Sequence, residues 1–370
     1  MNQHQWRLAT VLLLVAASFG VRADTRPAVL APAQVAQAGA AVAPPARVDK
    51  TDYDARMLAL ANLKASSEPA TVSAAQPDSA AKAGRRRRSA ASPPVPARPK
   101  WPVRAVYPQA GALLPFHRVV AFYGNFYSTQ MGILGQYPPA QVLDKLRTVA
   151  REWQAADPTT PVMPALDYIA VSAQASPGKD GKYRLRMPDS EIAKALAMAR
   201  QAHGLLFLDV QPGWSRLRDE LPRLAPFMQQ PDVELALDPE FALVAGKRPG
   251  AWRGTMDAAT INYAAAWLAQ VVEEHRLPPK ILVIHRFTQE MVSGYRQITP
   301  LPQVQIVMDM DGFGSPADKT AAYRDYLADQ PVQFTGFKLF YRNDVHWGRR
   351  LMSAGEILAL SPRPIFIVYQ

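Results

Sequence analysis

The chain contains no cysteine among its 370 residues. This absence excludes disulfide bonds, thiolate metal sites, a cysteine nucleophile and a lipidated cysteine. A membrane-length apolar run is also lacking. The apolar stretch Leu8–Gly20 has thirteen residues, whereas a membrane-spanning helix needs about 20. The sequence therefore predicts no transmembrane anchor in the mature chain.

A basic stripe of the kind that binds nucleic acid is lacking as well. The formal net charge is +11, but residues 1–100 carry 14 Lys and Arg against 6 Asp and Glu. Residues 101–370 carry 28 Lys and Arg against 25 Asp and Glu. Because the excess charge lies mostly in the first hundred residues, we expect no nucleic acid among the partners of the folded part.

Residues 1–23 have the pattern of a secretory signal peptide. Arg7 supplies the positive start, Leu8–Gly20 the apolar segment, and Val21-Arg22-Ala23 a small-x-small cleavage site before Asp24. An uncleaved anchor is the alternative. Together with the lack of cysteine, this pattern predicts a periplasmic or secreted bacterial protein.

Residues 24–100 are rich in Ala, Pro, Ser, Val and Gln and have almost no aromatic residues. Such a segment buries too little apolar area to offset chain entropy, so we predict a disordered linker. Within it, Asp52–Lys64 could form a short transient helix. The run Arg85–Arg88 could bind an anionic envelope polymer or lipid headgroup, mark a protease site, or be a solvated basic stretch.

Eight short apolar runs, seven of them ending in polar or charged residues, occupy the rest of the chain. Runs that alternate with helical stretches are typical of parallel strands, and eight of them predict a (β/α)8 barrel over residues 101–370. The runs span residues 119–125, 161–167, 205–211, 233–240, 280–287, 304–311, 334–341 and 364–370.

The stretches between the runs carry helical spacing and capping residues. We predict helices over residues 138–155, 187–202, 257–275 and 315–329. A doubly wound open sheet is the runner-up, but it would show a glycine-rich phosphate turn where this chain has Gly124-Asn125-Phe126-Tyr127. No eighth helix follows the last run, and we expect Trp101–Arg118 to cover that gap.

Polar residues at the strand ends form the candidate site. Side chains of a strand alternate between its two faces. On each strand, one of these two sets ends in a polar group that lies above an apolar layer, at the barrel's carboxyl-terminal end. The predicted catalytic residues are Glu240, Asp238 and Asp309. The predicted substrate-binding residues are Tyr123, Asn125, Asp167, Asp209, Gln211, His285, Asp311, Lys338 and Tyr341.

Two carboxylates across such an opening suit glycoside hydrolysis, in which one acts as acid and the other as base or nucleophile. We expect Glu240 to be the acid/base, with Asp309 or Asp238 opposite. The seventh run carries Lys338 and no acid, unlike common barrel glycosidases. Aromatic residues at strand ends and in loops suit sugar rings, and an envelope or extracellular carbohydrate is the expected partner.

Other functions are open at this point. Asp209, Asp238, His285 and Asp309 could hold a divalent metal for a hydrolase, although we commit to no metal site. Lys338 could form a Schiff base. The barrel could also bind a glycan without cleaving it, as a non-catalytic envelope module. No NAD, flavin, PLP or nucleotide motif is present, so no cofactor is expected.

Five segments of the barrel region carry a family resemblance: Phe122–Gly124, Met131–Pro139, Leu237–Phe241, Met308–Gly314 and Gly336–Tyr341. They resemble an uncharacterised family of exported bacterial proteins with a TIM-like barrel, mostly described as hypothetical proteins or lipoproteins. The resemblance covers about residues 119–370 and implies domain limits and export, without an activity. This chain departs from the lipoprotein members in lacking the cysteine.

Overall fold

The computed structural model describes residues 48–63, 100–346 and 349–370. The predicted signal segment, most of the predicted linker and the run Arg85–Arg88 lie outside the described residues. In the described part, no helix combines the length and the apolar character needed to cross a membrane.

Eight parallel strands form a closed barrel, because the first strand, Arg118–Gly124, pairs with both the second, Val162–Ala173, and the last, Phe366–Tyr369. Each strand coincides with one of the eight apolar runs, so the predicted (β/α)8 fold is confirmed and the open sheet is excluded. The strands are β1 Arg118–Gly124, β2 Val162–Ala173, β3 Leu205–Val210, β4 Val233–Leu237, β5 Lys280–Arg286, β6 Val304–Met310, β7 Phe334–Leu339 and β8 Phe366–Tyr369.

Alternate side chains of each strand fill the barrel interior. In β1, Val119 and Ala121 pack inward, while Val120 and Phe122 join the outer apolar core beneath the helices. Phe207 of β3 meets Phe366 of β8 edge to face, with ring centroids 5.2 Å apart. In each strand, the inward-facing side chains therefore occupy alternate positions, and this series runs from the apolar layer to the barrel's carboxyl-terminal end.

Seven α-helices lie within the described residues. The four predicted helices are confirmed as α2, α3, α5 and α6, and α6 continues into a π-helical turn at Arg324–Ala328. Helix α4 contains two prolines and α7 has five residues, which is why sequence patterning missed both. The helices are α1 Lys50–Ala61, α2 Pro139–Ala156, α3 Asp189–Gln201, α4 Leu217–Met228, α5 Ala258–His275, α6 Pro316–Tyr323 and α7 Ala354–Leu358.

The amino-terminal end of the barrel is closed by Leu114 and helix α1. Gln305 at the start of β6 holds the fully buried Leu114, accepting from its amide at 3.0 Å and donating to its carbonyl at 2.6 Å. Trp101 donates to the carbonyl of Ala328 at 2.8 Å. The stretch 101–118 therefore caps the barrel's base, and the expectation that it replaces the eighth helix was wrong. Helices α2 and α7 contact each other instead.

Helix α1 is packed against this base, and the expectation of a transient helix was wrong. Tyr53, Met57 and Ala61 recur at i, i+4 and i+8, which places all three on one buried face. The amide of Arg363 donates to the carbonyl of Leu60 at 2.7 Å, and Asn62 Nδ2 donates to the carbonyl of Leu360 at 2.7 Å. Burial and these bonds offset the entropy of ordering the segment.

We expect Met57→Ala to lower the free energy of unfolding by about 2 kcal/mol, because it removes a buried side chain and leaves a cavity. The matched control is Leu58→Ala in the same helix, whose side chain is 61% exposed. The control should change stability by less than about 0.5 kcal/mol. Urea unfolding measures both, and equal effects would contradict the docking of α1.

Candidate functional site

Ten polar side chains converge at the carboxyl-terminal end of the barrel, here called the mouth. They come from β1 to β7 and the turns that follow these strands. The inward parity predicted from strand alternation is confirmed, because contacts join side chains from different strands across the interior. This mouth cluster consists of Tyr123, Asp167, Asp209, Gln211, Asp238, Glu240, His285, Asp309, Asp311 and Lys338.

His285 of β5 lies fully buried among three carboxylates. Its Nδ1 is 3.0 Å from Oδ2 of Asp309 and 3.7 Å from Oδ2 of Asp311, and its Nε2 is 3.6 Å from Oδ2 of Asp167. Burial disfavours the charged ring, but the nearby carboxylates of Asp167 and Asp309 outweigh it and hold the pKa of His285 well above its usual range. This geometry therefore favours the charged, doubly protonated ring.

Lys338 of β7 provides the second buried cation. Its Nζ is 3.1 Å and 3.2 Å from the two carboxylate oxygens of Asp311 and 3.6 Å from the ring centroid of Tyr123. Burial alone would lower the pKa of Lys338, but the surrounding carboxylates, with Asp311 foremost, raise it. A protonated amine is a poor nucleophile, so this geometry favours an ion pair over a Schiff base.

Tyr123 and Gln211 link the acids on the opposite side of the mouth. The Tyr123 hydroxyl donates to Oδ2 of Asp209 at 2.6 Å. Nε2 of Gln211 donates to the Tyr123 hydroxyl at 3.1 Å and lies 3.4 Å from Oδ2 of Asp238. Burial raises the pKa of Asp209 to about 6, and burial together with the charge of Glu240 raises the pKa of Asp238 well above its usual range.

Glu240 occupies a 3₁₀ turn, Pro239–Phe241, directly after β4. The amide of Gly254 donates to the Glu240 carbonyl at 2.6 Å, and a Cβ at Gly254 would lie 2.3 Å from the carbonyl oxygen of Ala242. Only glycine allows this close approach. The Glu240 side chain keeps partial solvent contact. Burial of the carboxyl, with the charge of Asp311 next, raises the pKa of Glu240 to about 8, so it is mainly protonated at neutral pH.

Several acid oxygens in the mouth accept no hydrogen bond from the described protein atoms. They are both oxygens of Asp167 and the Oδ1 atoms of Asp209, Asp238 and Asp309. An unsatisfied buried polar atom costs about 1–3 kcal/mol. Such a concentration is typical of a site that binds a polar ligand rather than of a packing core.

Asn125 and Tyr341 are not brought into the cluster. The Asn125 amide is used locally, because Nδ2 donates to the carbonyl of Ile169 at 3.0 Å and Oδ1 accepts from the Tyr127 amide at 2.8 Å. Tyr341 stacks on Tyr369 with ring centroids 5.2 Å apart. It packs against the core outside the barrel. The predicted substrate contacts of both residues have no support in this geometry.

Two buried residues that sequence patterning missed hold the turns after β6 and β7. Nζ of Lys319 donates to the carbonyls of Gly312 and Lys338 at 2.7 and 2.8 Å and lies 3.0 Å from Oδ2 of Asp344. Asp344 in turn accepts from the amides of Gly314 and Phe340. A charged residue on a predicted helix or turn indicates a surface position, so no local pattern reveals this pair.

The residues considered for a metal divide between two separate groups. His285 pairs with Asp309, whereas Asp209 bonds Tyr123 and Asp238 faces Gln211. Both His285 nitrogens face carboxylates. Within the described residues, no three His, Cys, Asp or Glu side chains have the arrangement of a metal site.

Neither a protein-family model nor a curated protein matches this chain. Among solved structures, a trimodular GH5_4 subfamily endoglucanase is similar with a TM-score of 0.41 and 7% identity, over 70% of this chain and 56% of that one. A GH5-4 broad specificity endoglucanase from Clostridium acetobutylicum gives 0.39 and 9%, over 69% and 87%. Xanthomonas albilineans dihydropteroate synthase gives 0.34 and 13%, over 69% and 88%.

These similarities concern the barrel fold alone. The chain spans just over half the length of the trimodular endoglucanase. Enzymes of unrelated chemistry share this fold, so the likenesses carry no argument about activity. No family is assigned by the comparisons, and the family resemblance of the strand-end segments stays a prediction.

We expect Gly336→Ala to disturb the mouth, because a Cβ there would lie 2.5 Å from Oδ1 of Asp309 and 3.0 Å from Cδ1 of Phe366. The overpacking should lower the free energy of unfolding by about 1–3 kcal/mol. The control is Gly355→Ala in α7, where a Cβ meets nothing within 4 Å. Thermal unfolding compares the two, and an equal effect would show that Gly336 does not make room for Asp309.

Proposed function

We propose that the barrel is a glycoside-hydrolase-like enzyme in which Glu240 is the general acid and Asp311 is the partner carboxylate. The observation that carries this proposal is their accessibility. Glu240 and Asp311 keep the most solvent contact among the acids of the mouth cluster, whereas Asp167, Asp209 and Asp309 are fully buried. A ligand that enters the mouth meets these two groups first.

The electrostatics of the pair suit the two roles. Glu240 holds its proton at neutral pH because its pKa is raised to about 8. Asp311 faces the ammonium of Lys338 with both oxygens. Cleavage of a glycosidic bond requires one protonated carboxyl group and one ionised carboxylate, and this pair offers both.

In the proposed reaction, Glu240 gives its proton to the glycosidic oxygen while the bond from that oxygen to the anomeric carbon breaks. Asp311 stabilises the positive charge that develops on the sugar ring. Water then bonds to the anomeric carbon and gives a proton to the Glu240 carboxylate, which restores the acid. Asp309 keeps His285 oriented and charged, and Asp238 receives the Gln211 amide. We therefore assign Asp309 and Asp238 to positioning rather than to the catalytic step.

The proposed setting is the bacterial periplasm or exterior, with an envelope or extracellular carbohydrate as substrate. The signal-like residues 1–23 and the lack of cysteine support export. The aromatic side chains of the loops around the mouth support a sugar ligand, because ring faces pack against the apolar faces of sugars.

We expect Glu240→Gln to abolish hydrolysis, measured as release of reducing ends from a panel of envelope and plant polysaccharides. The wild-type rate should fall as pH rises through about 8, because the acid then loses its proton. Glu274→Gln on the outer face of α5 is the matched control and should keep full activity.

Stability separates this catalytic role from a structural one. Removing a carboxyl whose pKa is raised by folding should leave Glu240→Gln as stable as wild type or more stable between about pH 5 and 8. A variant that retains turnover contradicts the assignment of Glu240. Binding without turnover by the wild-type protein would instead support a glycan-binding module.

A further inference from the structure

The strongest unassigned feature is an exposed surface beside the mouth, built from three loops at the carboxyl-terminal ends of β2, β3 and β4. We call it the cation–aromatic shelf. It consists of Lys182, Tyr183, Trp214, Lys247, Arg248, Trp252 and Arg253. Every loop that contributes to it lies on the same end of the barrel as Glu240.

Backbone contacts hold the three loops together as one surface. The Trp214 amide donates to the Lys182 carbonyl at 2.7 Å, and the Leu243 amide donates to the Gly213 carbonyl at 3.0 Å. Gly213 has φ +60°, and a Cβ there would lie 2.5 Å from the Lys182 carbonyl oxygen. The close approach requires glycine, so the shelf is a defined surface and not a set of independent loops.

The aromatic part of the shelf exposes Trp252 and part of Trp214 to solvent, whereas Tyr183 is buried. Tyr183 and Trp214 pack together with ring centroids 4.3 Å apart, and Trp214 Nε1 donates to the Lys247 carbonyl at 2.6 Å. Trp252 is 56% exposed, and neighbouring Val244 is 65% exposed. Large apolar side chains left in solvent around a polar opening are typical of a ligand-binding surface.

The charged part of the shelf is of one sign. Between Glu240 and Asp257 the chain carries Lys247, Arg248 and Arg253 and no acid. All three are exposed, and none forms a salt bridge within the described residues. Instead they lie near rings: Lys247 Nζ is 5.4 Å from Trp252, Arg248 6.0 Å from Tyr183, and Arg253 6.0 Å from Phe287.

The shelf continues into the mouth. Arg253 precedes Gly254, whose amide donates to the carbonyl of Glu240 at 2.6 Å. A chain of sugars that lies on the shelf would therefore extend towards the turn that carries the proposed acid. Cations adjacent to ring faces would bind sugars that carry an anionic substituent, because guanidinium groups pair with carboxylate, sulfate or phosphate.

We propose that this shelf binds an anionic polysaccharide, so that the substrate of the mouth is a glycan with acidic substituents. The inference rests on the proposed hydrolase function for the claim that the ligand is a glycan. The claim that this glycan is anionic is a separate one. The exposed aromatic faces hold the sugar rings, and the cations Lys247, Arg248 and Arg253 hold the acidic groups.

The test measures binding to Glu240→Gln, so that turnover does not enter. Calorimetry compares oligogalacturonate, alginate and hyaluronan fragments with the same fragments after methyl esterification of their carboxylates. Sulfated dextran tests whether sulfate replaces carboxylate as the anionic group. We expect at least one acidic glycan to bind about tenfold more tightly than its neutral ester.

The variants locate this preference on the shelf. The double change Lys247→Gln and Arg248→Gln should remove the tenfold preference, and Trp252→Ala should weaken the acidic and neutral forms together. The matched control changes Arg151→Gln and Arg223→Gln, two exposed cations on the outer helices α2 and α4, and should keep the preference.

Two outcomes overturn the proposal. Equal affinity for every acidic glycan and its ester removes the claim about charge. If a single-stranded oligonucleotide binds more tightly than the acidic glycans, and Trp252→Ala weakens that binding, the shelf is assigned to nucleic acid. Failure of the hydrolase proposal looks different, because acidic glycans would then still bind preferentially while the wild-type protein releases no reducing ends.

Discussion

The buried imidazolium of His285 is the interaction on which the mouth depends. A barrel that brings six carboxyl groups together at one end would be strongly destabilised if they were all charged and unpaired. His285 of β5 lies within 3.0 to 3.7 Å of three of them. Lys338 of β7 pairs with one of these three acids, Asp311. These two cations make it feasible to bury the acids of β2 and β6.

The same arrangement divides the mouth into two electrostatic regions. On the side of β5 to β7, Asp309 and Asp311 contact the cations His285 and Lys338, and burial still raises the pKa of Asp309. On the side of β3 and β4, Asp209, Asp238 and Glu240 have raised pKa values because burial and their neighbours disfavour charge. The folded chain therefore keeps protons that the unfolded chain releases near pH 4, so stability falls as pH rises towards 8. This cost is typical of residues retained for chemistry.

Strand alternation was enough to predict the barrel and the inward groups, because a two-residue period leaves only two choices for each strand. Strand alternation could not tell whether Asp309 or Asp311 is the accessible acid. The two residues are two positions apart and point to the same side, so they differ only in their depth in the mouth. Alternation also misjudged Asn125, whose amide is taken up by the backbone of Ile169 and Tyr127.

Other features depend on contacts that no local pattern carries. Helix α1 is separated by about 300 residues from the turn before β8 that it packs against. Lys319 and Asp344 resemble surface residues, yet they are buried between the turns after β6 and β7. The shelf likewise arises from three loops, whose cations and aromatic rings become neighbours only when the barrel closes.

The protonation state of His285 tests the central claim most directly. Nitrogen-15 NMR of uniformly labelled protein, with the His285 signals assigned by comparison with His285→Gln, reports whether each ring nitrogen carries a proton. We expect both nitrogens to be protonated at pH 7.5, and Asp309→Asn to shift the titration to lower pH. A neutral ring at pH 7.5, with one unprotonated nitrogen, would contradict the buried imidazolium and the electrostatic division built on it.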